Sequence, residues 1–262
     1  METRSAGLRI HFEVLGDGPP VLLLHGYPLS SHLWDDVVGH LSDAYRLIVP
    51  DLRGHGRSEA GDTASMEEMA DDVLEVLAAA DEDRPVVLVG MSMGGYVSLA
   101  FARKYPQRVR ALVLVDSRTA ADSDEAAVAR HRTAERVLRE GTGFVADEMV
   151  GKLFAPGAPE ELKQRWRERM AATSPRGVMA ALRGMAARPD SGALLRQLGV
   201  PVLVIVGEED GITPVEESRA IAQASGGRLE IIPGAGHMAA AEKPDAVAAA
   251  LRSFLDELGS QL

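Results

Sequence analysis

Val86-Val87-Leu88-Val89-Gly90-Met91-Ser92-Met93-Gly94-Gly95 decides how this chain is read. Its four leading apolar residues suit a strand buried on both faces. Residues 96–105 favour a helix, which Pro106 stops. A serine therefore stands on a sharp strand-to-helix turn, between glycines at 90 and 94 where a side chain would strike the neighbouring strand or helix. Such a turn lifts the hydroxyl above a sheet and sets it beside the unpaired N–H groups that open a helix. The spacing G-x-S-x-G in this context points to a nucleophile. A phosphate cradle is the competing use of a glycine-rich turn. It lacks its marks, since no G-x-x-x-x-G-K-[ST] or G-x-G-x-x-G follows a strand.

Outward from this turn the chain alternates. Upstream, residues 8–15 and 21–24 read as strands, and the second runs into His25-Gly26-Tyr27-Pro28. Ser30 is placed to cap a helix over residues 30–42. Residues 47–49 are a further strand, leading into the turn-rich loop 51–58. Ser65 and Glu68 have capping-box spacing for a helix ending near Ala80. Downstream, residues 110–115 form a strand ending at Asp116, and then the rhythm stops. Residues 117–197 read as amphipathic helices without a convincing strand, after which strands at 201–206 and 229–232 alternate with helices again. This pattern predicts an α/β fold, a mostly parallel central sheet with helices on both faces. Residues 1–116 and 198–262 are expected to form the core domain, and 117–197 an inserted helical cap.

Composition narrows the function. The 262 residues are 46% hydrophobic, enough for one large domain with an insertion. Without cysteine there is no disulfide, thiol nucleophile or cysteine-based zinc site. A net charge of −11 disfavours nucleic acid and anionic membranes as partners. No apolar stretch reaches signal-peptide or membrane-spanning length, so a cytoplasmic protein is expected.

A serine hydroxyl needs a base, and the base a partner that fixes its tautomer. His237, in Gly236-His237-Met238 between the last strand and the last helix, is placed to be that base. His25 and His55 lie in loops near the site, and structural hydrogen bonds are their preferred reading. For the acid, Asp210 follows the strand before the last, and Gly211 and Pro214 would turn it above the sheet. Asp116 also ends a strand and competes. The amides of Met93 and Tyr27 are the expected oxyanion donors.

With these residues assembled, the chain resembles α/β-hydrolase fold enzymes over nearly its whole length. His25-Gly26-Tyr27-Pro28, residues 51–58, the turn at Ser92 and Gly236-His237 are similar to esterase, enol-lactonase and cofactor-free haloperoxidase branches. Gly26-Tyr27-Pro28-Leu29 and residues 90–96 most resemble 3-oxoadipate enol-lactonases. The chain order Ser92, Asp210, His237 is the order of that fold's triads. Serine at 92 departs from the aspartate of haloalkane dehalogenases and epoxide hydrolases. The resemblance implies a serine hydrolase of small carboxylic esters or lactones, needing no cofactor or metal. Perhydrolysis through the same triad, or a non-catalytic ligand receptor, are the alternatives. His25, Phe144, Leu153, Trp166 and Met238 are expected along a substrate pocket. The arginines of 117–197 are expected on a solvated, ion-paired face, with Glu135/Arg139 and Glu161/Arg165 at i, i+4 spacing.

Overall fold

The computed structural model describes residues 1–259. Its strands are β1 (Glu2–Ser5), β2 (Leu8–Leu15), β3 (Pro20–Leu24), β4 (Arg46–Pro50), β5 (Val86–Met91), β6 (Val109–Val115), β7 (Val202–Gly207) and β8 (Arg228–Ile232). They form one eight-stranded sheet in the order β1-β2-β4-β3-β5-β6-β7-β8. β1, β2 and β4 pair antiparallel, and every other pairing is parallel. The expected α/β architecture is thus present. β1 escapes sequence reading because Glu2-Thr3-Arg4-Ser5 has no apolar alternation, its place being set by its ladder with β2.

Alternate residues of the central strands feed two buried layers. Leu22, Leu24 and Leu88 face one, with Met69, Val97 and Ile221 from helices Met66–Ala79, Met93–Lys104 and Val215–Ser225. Val21, Leu23, Val87 and Val89 face the other, with Val37, Val247 and Leu251 from helices Asp35–Gly39 and Pro244–Gly259. The Ser65 capping box is formed, the serine accepting from Glu68 N and Glu68 from Ser65 N. The expected helix over 30–42 is broken instead into a 3-10 turn, Ser31–Trp34, and the short helix Asp35–Gly39. Ser30 makes no side-chain cap, and the Ser31 amide donates to Asp51 Oδ1 at 2.8 Å.

Between the adjacent strands β6 and β7 lie helices Asp124–Glu140, Gly143–Leu153, Glu160–Ala171, Pro175–Ala187 and Gly192–Gln197. The fourth sits directly on the loop after β4. A Cβ on Gly177 would fall 1.9 Å from the Gly54 carbonyl oxygen, so two backbones touch where both residues lack side chains. The ion pairs of this segment differ from those expected. Arg139 donates to the Glu135 backbone carbonyl, while Arg136 reaches Glu140 and Glu148, and Arg167 reaches Asp147. Neighbouring helices supply partners that spacing along one helix does not reveal. Arg188 is buried, paired with Asp122 at 2.8 Å and stacked over Tyr96. No described helix is long and apolar enough to cross a membrane.

Candidate active site

β5 ends at Met91, and the next residue carries the strain of the turn. Ser92 has φ 50° and ψ −114°, a backbone state that non-glycine residues rarely adopt. The flanking glycines permit it. A Cβ on Gly94 would lie 2.3 Å from the Leu24 carbonyl oxygen, and one on Gly90 would lie 2.4 Å from the Gly94 carbonyl oxygen. The turn is pinned by Ser92 N donating to Val115 O at 2.9 Å and Ser117 Oγ donating to Ser92 O at 2.8 Å.

His237 follows β8 and is almost wholly buried. Its Nε2 lies 2.9 Å from Ser92 Oγ, and its Nδ1 lies 2.8 Å from Asp210 Oδ2. A buried carboxylate only accepts, so Nδ1 carries the proton and Nε2 turns its lone pair on the serine. Asp210 is oriented in turn by Ile212 N at 2.7 Å and Thr213 N at 2.9 Å, both on Oδ1, and by the Thr213 hydroxyl on Oδ2. Burial pushes the Asp210 carboxyl up, but the hydrogen bond and charge of His237, with Thr213, outweigh it and hold the group below its ordinary range.

Asp116, the competing acid, does not reach the imidazole. Its backbone is also left-handed, φ 45°, and its carboxylate accepts from Gly207 N at 2.8 Å and Ala239 N at 3.2 Å. It thereby holds the end of β7, which leads to Asp210, and the chain just past His237. Complete burial, then the charge of Asp210, push its carboxyl far above the ordinary value. Glu242 acts on the same loop from the other side. Its two oxygens accept from Gly236 N at 2.8 Å and from Ala155 N at 2.9 Å, joining the histidine loop to the helical segment. Neither role has a sequence signature, since nothing local marks an acid that folds back onto distant amides.

Met93 is the first residue of its helix, where an N–H has no intrahelical partner. Tyr27 follows Gly26, and a Cβ on Gly26 would lie 3.2 Å from Ser92 Cβ, so both expected oxyanion residues adjoin the serine. His25 is fully buried, with Nδ1 against Gly26 O at 2.8 Å and Nε2 accepting from Leu52 N at 2.9 Å. It braces the loop. The other residues expected along a substrate pocket are not among the lining of the cavity that borders Tyr27. Leu153, Trp166 and Met238 pack in the layer around Val89, and Phe144 lies beneath the Arg136 guanidinium. The walls of that cavity include Tyr27, Val145, Met149 and Leu182, with Arg130 and Glu148.

Residues 19–244 match the family described as alpha/beta hydrolase fold. The chain belongs to that family. Among solved structures it is similar to a thermophilic esterase from Thermogutta terrifontis (malate bound), at 43% identity and TM-score 0.94, over 98% of this chain and 97% of that one. It is similar too to the enol-lactonase from Burkholderia xenovorans LB400, at 26% identity and TM-score 0.89, over 98% and 100% of the two chains. A relative named non-heme haloperoxidase, from Rhodococcus erythropolis, is 31% identical over 97% of this chain and 98% of its own. Esterase, lactonase and haloperoxidase branches of the alpha/beta hydrolase family all therefore stand near this chain, as its motifs led one to expect.

Proposed function

We propose that this alpha/beta hydrolase is a cofactor-independent serine hydrolase of small carboxylic esters or lactones. One observation carries the reading: the unbroken hydrogen-bond chain from Ser92 Oγ through His237 to Asp210, at 2.9 and 2.8 Å. Ser92 Oγ attacks the carbonyl carbon as His237 Nε2 takes its proton. The amides of Met93 and Tyr27 receive the oxyanion. The tetrahedral adduct collapses, the C–O bond to the leaving alkoxide breaks, and His237 returns the proton to it. Water then gives a proton to His237 and attacks the acyl-serine, releasing the acid and restoring the hydroxyl. Asp210 keeps the imidazole in the working tautomer and stabilises its cation. Residues 117–197 serve as a cap over the core formed by 1–116 and 198–262.

The test is turnover of 4-nitrophenyl butyrate by wild type and Ser92→Ala, with fluorophosphonate labelling read by mass. Wild type turns over and labels, while Ser92→Ala loses on the order of 10⁶ in kcat and does not label. Equal labelling of both would move the nucleophile elsewhere. The haloperoxidase relative favours a second reading, in which hydrogen peroxide replaces water in attacking the acyl-serine. Halogenation that requires both peroxide and acetate distinguishes it.

A further inference from the structure

A cavity of about 250 Å³ lies where helices Asp124–Glu140, Gly143–Leu153 and Pro175–Ala187 approach Tyr27. Tyr27 is only 7% exposed, and its hydroxyl is buried with no hydrogen-bond partner among the described residues. A buried hydroxyl without a partner carries a penalty that a hydrogen-bonding ligand would relieve. The ring stands edge-on to His55, with centroids 6.4 Å apart. The charges acting on it are those of Arg130 and Glu148, both on the cavity wall, and burial keeps the phenol protonated as a donor. Arg130 is itself held by Asp122, and Glu148 by Arg136, so the tyrosine hydroxyl and the Lys152 ammonium are the donors of this wall that no described residue is shown to engage.

We propose that this cavity receives the part of the substrate remote from the scissile carbonyl, and that the Tyr27 hydroxyl donates a hydrogen bond to an acceptor oxygen there. The preferred substrates are then esters or lactones bearing a second acceptor oxygen, either a carboxylate or an uncharged carbonyl. The inference rests on the ester-hydrolase reading above, in which the Tyr27 amide faces the oxyanion. One residue then fixes both groups, its amide at the reacting carbonyl and its hydroxyl one tyrosine length away. The remaining wall, Val145, Met149 and Leu182, suits the methylenes between them.

The experiment compares wild type and Tyr27→Phe on matched esters of equal length, one apolar, one ending in a ketone and one in a carboxylate. The groups are placed on the acyl side in one series and on the alcohol side in another. In at least one series wild type prefers an acceptor-bearing ester by about tenfold in kcat/KM, and Tyr27→Phe erases the preference. The melting temperature of Tyr27→Phe equals or exceeds that of wild type, because the hydroxyl it lacks made no bond in the free protein. Lys152→Ala separates the two acceptors, since Lys152 also lines the cavity. A loss confined to the carboxylate ester identifies the charged one, and no loss the uncharged one. Absence of any preference, its survival in Tyr27→Phe, or a lowered melting temperature would overturn the inference. Failure of wild type to turn over even the apolar ester overturns the hydrolase reading itself.

Discussion

Asp116 accepts a hydrogen bond from the Ala239 amide at 3.2 Å, so the acid ending β6 grips the chain just past His237 without touching the imidazole. Its other oxygen holds Gly207, the last residue of β7. Two acids at neighbouring strand ends thus do different work. Asp210 orients the ring, and Asp116 fixes the two loops that bring acid and base together.

Asp210→Asn and Asp116→Asn separate these roles. The first offers Nδ1 a wrong or absent acceptor and loses about 10⁴ in kcat. The second keeps one carbonyl oxygen and stays within about tenfold of wild type, roughly 1.4 kcal/mol. Its loss appears in stability, about 1–3 kcal/mol for one buried amide left without an acceptor. Esterase rates and urea melts on both variants check this, and the reverse order of activities would exchange the two assignments.

His55 predicts how stability responds to acid. Complete burial, then the charge of His25, lower its pKa to about 3, while in the unfolded chain it titrates near the ordinary 6.5 of histidine. Between these values the unfolded state binds a proton that the folded state refuses. Its contribution is therefore fully present above pH 6.5 and is lost progressively as pH falls towards 3. The slope from this one group approaches ~1.4 kcal/mol per pH unit. His55→Gln should be less stable at neutral pH yet flatter across pH 4 to 6.5, as read by urea midpoints. An unchanged slope would remove His55 as the source.

Arg53 makes a two-pronged bond to Asp72, at 2.6 and 2.7 Å, with both side chains nearly sealed from solvent. Removing one partner strands a buried charge, so Arg53→Met should cost about 3–5 kcal/mol of stability. Replacing Asp72 by leucine as well should restore much of the loss, since both charges are then gone. A double variant as unstable as the single one would locate the cost in packing instead.

Glu242→Gln tests the bridge between histidine loop and helical segment. An amide has one oxygen for the two N–H groups of Gly236 and Ala155, so one amide loses its acceptor. A loss of ~1–3 kcal/mol follows, a fall of a few degrees in Tm at this chain length. The fall in kcat should exceed the change in KM, because the base is displaced while the cavity beside Tyr27 is not.

What was legible in the residues was whatever is local. Ser92 between its glycines, the apolar strand before it and the Ser65–Glu68 cap each need only a few neighbours to be read. The Ser92, Asp210, His237 set was legible because each follows a strand, and parallel strands bring their ends together. Asp116 and Glu242 were not, since their partners, Gly207, Ala239, Gly236 and Ala155, are backbone amides that any sequence supplies. The bond from the Ser31 amide to Asp51 was hidden for the same reason. The expected pocket residues were legible as apolar, and Leu153, Trp166 and Met238 are buried. Which apolar residues face a substrate depends on how five helices pack, and no local pattern records that.

The contact between Gly54 and Gly177 bears on how such a protein can be recombined. The helical segment is not docked through exchangeable side chains at this point, because backbone meets backbone with no room for a methyl group on either side. A chimera that takes residues 117–197 from a relative must therefore inherit glycine at position 177 together with glycine at 54. Any other residue at 177 would lift the start of helix Pro175–Ala187 off the loop. Recombination across this seam is thus tied to a pair of positions that lie far apart in the gene.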